Sequence, residues 1–335
     1  MLTFSPDDYR ALREAAGMRE RRDAALIGVA GRDRLSYLHA MLTNDIAALT
    51  AGRGCYAAYL TPQGRMIADM VVVELGDLAL MRLDAARKTE VFEKLDQFIF
   101  SEDVQLHDLS ETLTDIEVIG PRSPHVLSTT FTASKDEFGA LPQLHAHRTE
   151  YEGASAVIVS AGNQLGVPAF DVYLDRVHAP GVSGAMKRAG AVAVADEAVE
   201  ALRIEAGVPR FGADMDEHTI PLEAGIEGRA ISFTKGCYPG QEVITRVLHR
   251  GHGRVARKLA GLAVEGATVP EPGDRLVVAG KDVGTVTSAV YSPTLGRAVA
   301  LGYLQRDLAA PGTAVQIVRS GDLLSANVVP LPFIP

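Results

Sequence analysis

The sequence contains no tryptophan and only two cysteines in 335 residues. Cys55 and Cys237 form no CxxC pair, so by themselves they cannot ligate a four-thiolate cluster or a conventional zinc site. They also make no disulfide framework, which suits a reducing, cytoplasmic compartment. Long apolar runs are missing as well. MVVVEL at 70–75 is typical of the longest and is far too short to span a bilayer, so no membrane partner is expected. The opening MLTFSPDDYRALREAAGM carries acids and no apolar h-region, so it does not read as a secretory signal. Positive charge is in deficit: 33 Lys+Arg against 42 Asp+Glu leave a net charge of −9. Bulk electrostatics therefore do not favour direct nucleic-acid binding, although a local basic patch stays compatible with that total. There is no GxxxxGK[ST], HExxH or GxSxG, and GVAGRD lacks the strand and helix that a dinucleotide fingerprint needs.

What is present is an ordinary globular composition, 47% hydrophobic and 22% charged. The length predicts two or three domains rather than one core. DRLSYLHAML (33–42) places Leu35, Leu38, Met41 and Leu42 on one helical face. Strand-like runs follow at 55–60, 66–75 and 78–83, the last two joined by a Gly76-Asp77 hairpin turn. A helix with Phe92, Leu95, Phe98 and Ile99 on its apolar side completes a unit over about 50–108. The middle reads as a second α+β unit, with strands at 115–119, 155–161 and 168–174 and helices near 124–131, 178–189 and 196–207. The hairpins are too many for a doubly wound parallel sheet. From about 255 the chain becomes short strands separated by Gly, Pro and Asp turns, the texture of a small closed β-barrel. Residues 1–250 and 255–335 are thus the expected divisions.

Four places carry chemistry. KGCYPGQEVITR (235–246) puts Pro239-Gly240 at the centre of a type II turn that leads into a helix. Cys237 then lies near a helix N-terminus with Lys235 two residues away, and both features favour a thiolate. The alternative is a small residue filling a gap beside a turn. Between Val243 and Lys258 stand Arg246, Arg250, Arg254, Arg257 and Lys258 with no acid, a run able to hold an anionic tail or to be a solvated linker. Asp69 sits in MIADMVVV on the face shared with Ile67, Val71 and Val73. A carboxylate there is costly unless paired, which makes it a site candidate or a residue at an exposed strand end. Glu205, in ALRIEAG, reads by itself as a solvated helix-end glutamate.

Several of these segments together resemble one family. KGCYPGQE resembles the signature of YgfZ-type folate-binding proteins, relatives of the glycine-cleavage T-protein, an aminomethyltransferase. LSYLHAMLTNDI, YLTPQGRMIAD and LRIEAGVPRFGADMDEHTIPLEAG are similar to that family's segments, in the same order. The resemblance implies an α+β GcvT-like fold: two ferredoxin-like units around a folate cleft, plus the C-terminal barrel. It implies tetrahydrofolate as ligand and no metal or cluster held by the chain. On the same basis Asp69 approaches the reactive nitrogen of tetrahydrofolate and Tyr56 contacts the folate. Glu205 bonds the pterin ring, while Lys235, with Arg246 beyond it, holds the folate's glutamate tail. The chain departs from T-proteins in carrying KGCYPGQE, in Ala68-Asp69 where they have paired acids, and in Gly64-Arg65 where they have a double-glycine turn. These departures point to the YgfZ-type branch. Its implied function is a tetrahydrofolate-binding accessory factor for the assembly or repair of iron–sulfur enzymes, including tRNA-modifying ones, with Cys237 as the working thiol. The alternative is a folate-dependent aminomethyltransferase or demethylase using Asp69.

Overall fold

The structure, a computed structural model, describes residues 4–132, 135–249 and 254–334. Two antiparallel-rich sheets and a closed six-stranded barrel make up the molecule. The first sheet runs in the order Val192–Ala193, Gly17–Glu20, Leu113–Ile119, Ala169–Asp175, Ala154–Gly162, Ala146–Tyr151. The second runs Arg53–Leu60, Met66–Glu74, Ala79–Asp84, Ala24–Ala30, Gln105–Asp108. Its strands are drawn from one stretch of chain inserted between the first two antiparallel neighbours of the first sheet. The expected unit over 50–108 therefore begins earlier, at Ala24. That strand is internal, pairing with Ala79–Asp84 on one side and Gln105–Asp108 on the other. Being buried on both faces, AALIGVA has no polar alternation to announce it.

Each sheet covers its outer face with helices. Ala68, Met70 and Val72 pack with Leu38 and Met41 of the helix Arg34–Met41 and with Val91 and Leu95 of Lys88–Asp96. That second helix stops at Asp96, so Phe98 does not extend its apolar side and is 49% exposed. The first sheet is covered by Ser123–Thr130 and Ala179–Arg188. The inner faces meet through Leu26, Val71, Val73 and Leu80 from one sheet and Val159 and Tyr173 from the other. Each such side chain contributes about 1.5–3 kcal/mol on full burial, so this seam holds the sheets face to face. The alternation read from the sequence accounts for Asp69: it shares the seam-side face with Val71 and Val73.

The barrel follows the order Arg257–Val264, Arg297–Gln305, Lys281–Ser292, Arg275–Val278, Ala314–Arg319, Asp322–Val329, closing on itself. It docks on the helix Asp196–Glu205, whose Ala198, Val199, Ala201 and Leu202 pack with Val290, Val299 and Leu301. The N-terminal helix Pro6–Glu14 fills the same cluster. Its N-cap is Ser5, whose side chain accepts from Asp7 N, with proline and acids in the first turn. Among the described residues no helix is long and apolar enough to cross a membrane.

Candidate functional site

Where the seam between the sheets opens, a cavity of about 470 Å³ lies beneath the helix Asp196–Glu205 and the barrel. That volume is within the range that receives a drug-sized heterocyclic ligand. Tyr56 and Asp69 come from adjacent strands of the second sheet and both line it. The Tyr56 hydroxyl donates to Asp69 Oδ2 at 2.6 Å. Burial raises the Asp69 carboxyl; the Tyr56 hydrogen bond, the residue's own backbone and the Arg82 charge pull it back, and Asp84 raises it further. Burial, with the Asp69 charge and hydrogen bond, holds the Tyr56 phenol well above its ordinary range. Tyr56 is therefore a neutral donor and Asp69 an acceptor whose charge depends on its surroundings. The Arg229 guanidinium stacks over the Tyr56 ring at 5.3 Å from its centroid.

The tail of that arrangement explains Thr43-Asn44. Asn44 Nδ2 donates to the carbonyls of Tyr56 and Arg229 at 2.8 and 2.9 Å, tying the strand to the loop that carries the guanidinium. Thr43 Oγ1 donates to the Ala230 carbonyl at 2.6 Å and accepts from Ala58 N at 2.8 Å. This is positioning by side-chain-to-backbone bonds at a helix end.

The opposite wall comes from the helix Asp196–Glu205. Arg203 holds Glu200 through two bonds of 2.7 and 2.8 Å, Asp214 at 2.6 Å and Ser288 of the barrel at 2.8 Å. Glu200 and Arg203 line the cavity. Glu205, expected to bond the pterin ring, does not line this cavity. It is fully buried on the far side of the same helix, where it accepts from Tyr9 at 2.8 and 2.9 Å and from Arg13 and Ser292. Five residues beyond Glu200, it is turned by about 140° around the helix axis at 3.6 residues per turn. The carboxylate is neither solvated nor free for a ligand; it fastens the N-terminal helix and the barrel to the helix between them.

Lys235, Arg246 and Cys237 also lie outside the cavity lining. The Lys235 ammonium donates to the carbonyls of His39 and Leu42, satisfying the orphan acceptors at the end of the helix Arg34–Met41. It sits 5.0 Å from the Tyr238 ring centroid. Burial lowers it to about 8, with Asp45, Cys55 and Cys237 acting against that fall. Its donors are thus engaged with backbone rather than directed at an anionic tail. Arg246 is exposed on the helix Gln241–His249 and pairs with Glu242 at 2.6 Å one turn away. Cys237 is exposed, while Cys55 is held up to about 12 by burial. Of the basic run beyond Val243, Arg250 lies outside the described residues, and Arg257 pairs with Glu223 at 3.1 Å and covers the Tyr303 ring.

The segment around Cys237 has a structural task that the spacing did not disclose. Tyr238 is buried among Leu60, Met66 and Phe211, and Gln241 N closes the turn onto Tyr238 O at 3.2 Å. Gly240 (φ +83°) lies against the tip of the hairpin that carries Asp69: a Cβ there would stand 2.5 Å from Thr61 O and 2.9 Å from Gly64 Cα. Only glycine fits both the conformation and the space. Gly240→Ala is expected to lower stability by roughly 1–3 kcal/mol or more, read as a lower midpoint in denaturant unfolding. An unchanged midpoint would show that the hairpin tip is not pinned there.

Arg82, Arg229, Glu200 and Arg203 were not singled out in the sequence. Arg82 carries the signal that found Asp69, a charge inside the apolar strand LALMRL; Arg229 and the helix pair carry none.

The chain matches the model of the GCVT N-terminal domain over residues 2–235 and that of the glycine cleavage T-protein C-terminal barrel domain over 257–334. It is 31% identical to an aminomethyltransferase of Streptomyces avermitilis, over 98% of this chain and 88% of the relative. It is 30% identical to that of Streptomyces coelicolor over the same shares, and 29% to that of Bacillus subtilis over 97% and 90%. Its fold superposes on the glycine cleavage system aminomethyltransferase T of Bartonella henselae with a TM-score of 0.88 at 22% identity, covering 98% of this chain and 88% of that one. These relatives overturn the expectation of an accessory factor for iron–sulfur enzymes, with its cluster partners and tRNA-modifying clients. They favour the alternative, aminomethyl transfer. The resemblance that pointed to the YgfZ-type branch rested on KGCYPGQE, on Ala68-Asp69 in place of paired acids and on a changed turn, while the similarity to aminomethyltransferases runs through nearly the whole chain. Two family models that divide the chain between them, and a fold that follows them from the two sheets to the closed barrel, place this chain in the glycine-cleavage T-protein family.

Proposed function

We propose that this protein is a tetrahydrofolate-dependent aminomethyltransferase. The observation that carries the reading is the Tyr56–Asp69 pair on the wall of the cavity, in a chain similar over nearly its full length to aminomethyltransferases. Tetrahydrofolate is the one-carbon acceptor, and the cavity is of a size and mixed polarity that suit a heterocycle with donor and acceptor edges. Ionised Asp69 favours positive charge that develops at the reacting nitrogen, and its position is set before the substrate arrives. Tyr56 fixes the carboxylate by donating to Oδ2 of a residue that lines the cavity.

The test is turnover. Purified protein supplied with tetrahydrofolate and an aminomethyl-loaded lipoyl carrier should release ammonia, and absence of release overturns the reading. Cys237 lies outside the cavity lining, so Cys237→Ser should keep the parent's rate. A large loss in that variant would return the thiol to the chemistry.

A further inference from the structure

Arg82 stands on the strand Ala79–Asp84, directly opposite Val71. Asp69 is two residues from Val71 along its strand, on the same face. The two side chains are therefore diagonal cross-strand neighbours, a separation that a long side chain spans. Both line the cavity. Behind Arg82 lies a buried cluster in which Arg21 pairs with Asp115 and Asp171 at 3.0 Å each and with Glu117. Arg19 holds Glu117 as well, at 2.8 Å. Arg82 approaches Asp171 only to 3.6 Å through Nη2, and its Nε has no hydrogen-bond partner among the described residues. Its side chain keeps 24% exposure, on the cavity side. A guanidinium with unspent donors at the mouth of an already paired cluster has charge to offer Asp69.

We propose that Arg82 is a positioning residue for Asp69, keeping that carboxylate ionised and directed into the cavity without itself touching the substrate. The importance of Asp69 for turnover rests on the aminomethyltransferase reading; its electrostatic link to Arg82 does not. The groups facing Asp69 are Tyr56 from one neighbouring strand, with Arg229 over its ring, and Arg82 and Asp84 from the other. Beyond Arg82 stand Arg21, Asp115, Glu117 and Asp171 of the first sheet, and across the cavity Glu200 and Arg203. Burial raises the Asp115 carboxyl, Arg21 and Arg82 pull it back, and the Asp171 and Glu117 charges raise it further.

The experiment reads Asp69 directly. Full-length protein labelled with ¹³C at aspartate Cγ is titrated by NMR, the Asp69 signal being assigned by its loss in Asp69→Asn. Arg82→Met should move the Asp69 titration to higher pH by about one pH unit or more, because an opposite charge within reach has been removed. Arg82→Lys, which keeps the charge, should restore most of the original position. Asp171→Asn should move it the other way, to lower pH, because the anion competing for Arg82 is gone; this variant decides the matter if Arg82→Met does not fold. Titration unchanged in all three, with only a lowered thermal midpoint, would reduce Arg82 to a structural ion-pair member and overturn the proposal. The titration needs no turnover, so failure of the parent to release ammonia would remove the aminomethyltransferase reading and leave the Arg82 result standing.

Discussion

Asp69→Asn is expected to lower aminomethyl transfer by roughly 10²–10³-fold, with most of the loss in kcat. Asparagine keeps the shape of the side chain and can still accept from Tyr56, so the cavity and its ligand contacts persist. What disappears is the negative charge that favours a cationic reacting centre. The parent should also show an acid limb in its pH–rate profile. Burial raises the Asp69 carboxyl, so the group is protonated at low pH and activity climbs as pH rises through its titration. In Asp69→Asn that limb should vanish from whatever activity remains. Steady-state kinetics across pH supplies both readings. Turnover equal to the parent's, with the limb retained, would remove Asp69 from the reaction.

Glu205→Ala should have the largest effect on stability and little on ligand affinity. The residue is fully buried and engaged by Arg13, Tyr9 and Ser292. Removing one partner of a buried ion pair costs about 3–5 kcal/mol. Arg13 keeps 16% exposure and recovers some hydration, which points to the lower part of that range. The loss should appear as a lower denaturant midpoint with tetrahydrofolate affinity by calorimetry close to the parent's. The opposite pattern, weakened binding at unchanged stability, would make Glu205 a ligand contact despite its place behind the helix. The contrast with Glu200, which faces the cavity from the same helix, makes the pair of variants informative together.

Much of the fold was legible from local pattern. The strand that carries Asp69 announced itself through alternation and the Gly76-Asp77 turn that follows it, and the barrel through short strands separated by turn residues. The Asp69 argument worked because period-2 alternation assigns a face, and a carboxylate on an apolar face has few inexpensive explanations. The same argument applied to LALMRL would have found Arg82. It fails for Glu205, because a glutamate at a helix end looks identical whether water or a buried arginine awaits it. Here the arginine comes from Arg13, 192 positions away. The surroundings of KGCYPGQE were illegible for a related reason. A cysteine next to a lysine and a turn suggests an activated thiol, yet the lysine is occupied by the carbonyls of His39 and Leu42 and the glycine by the hairpin tip. The strand Ala24–Ala30 was missed because an internal strand buried on both faces shows no alternation.

The amino-acid order alone indicated many of the strands and helices, a β-barrel in the C-terminal part, and that Asp69 and Tyr56 belong to adjoining strands. These are consequences of periodicity and turn chemistry acting over a few residues. Only the tertiary structure decided which charged groups meet. It set Arg82 beside Asp69 and Arg229 over Tyr56, and it turned Glu200 toward the cavity and Glu205 away from it. It also made the conspicuous KGCYPGQE segment a buttress for the hairpin rather than a wall of the cavity. Charge pairing is long-range in sequence and depends on how sheets, helix and barrel pack, a relation that no local spacing encodes.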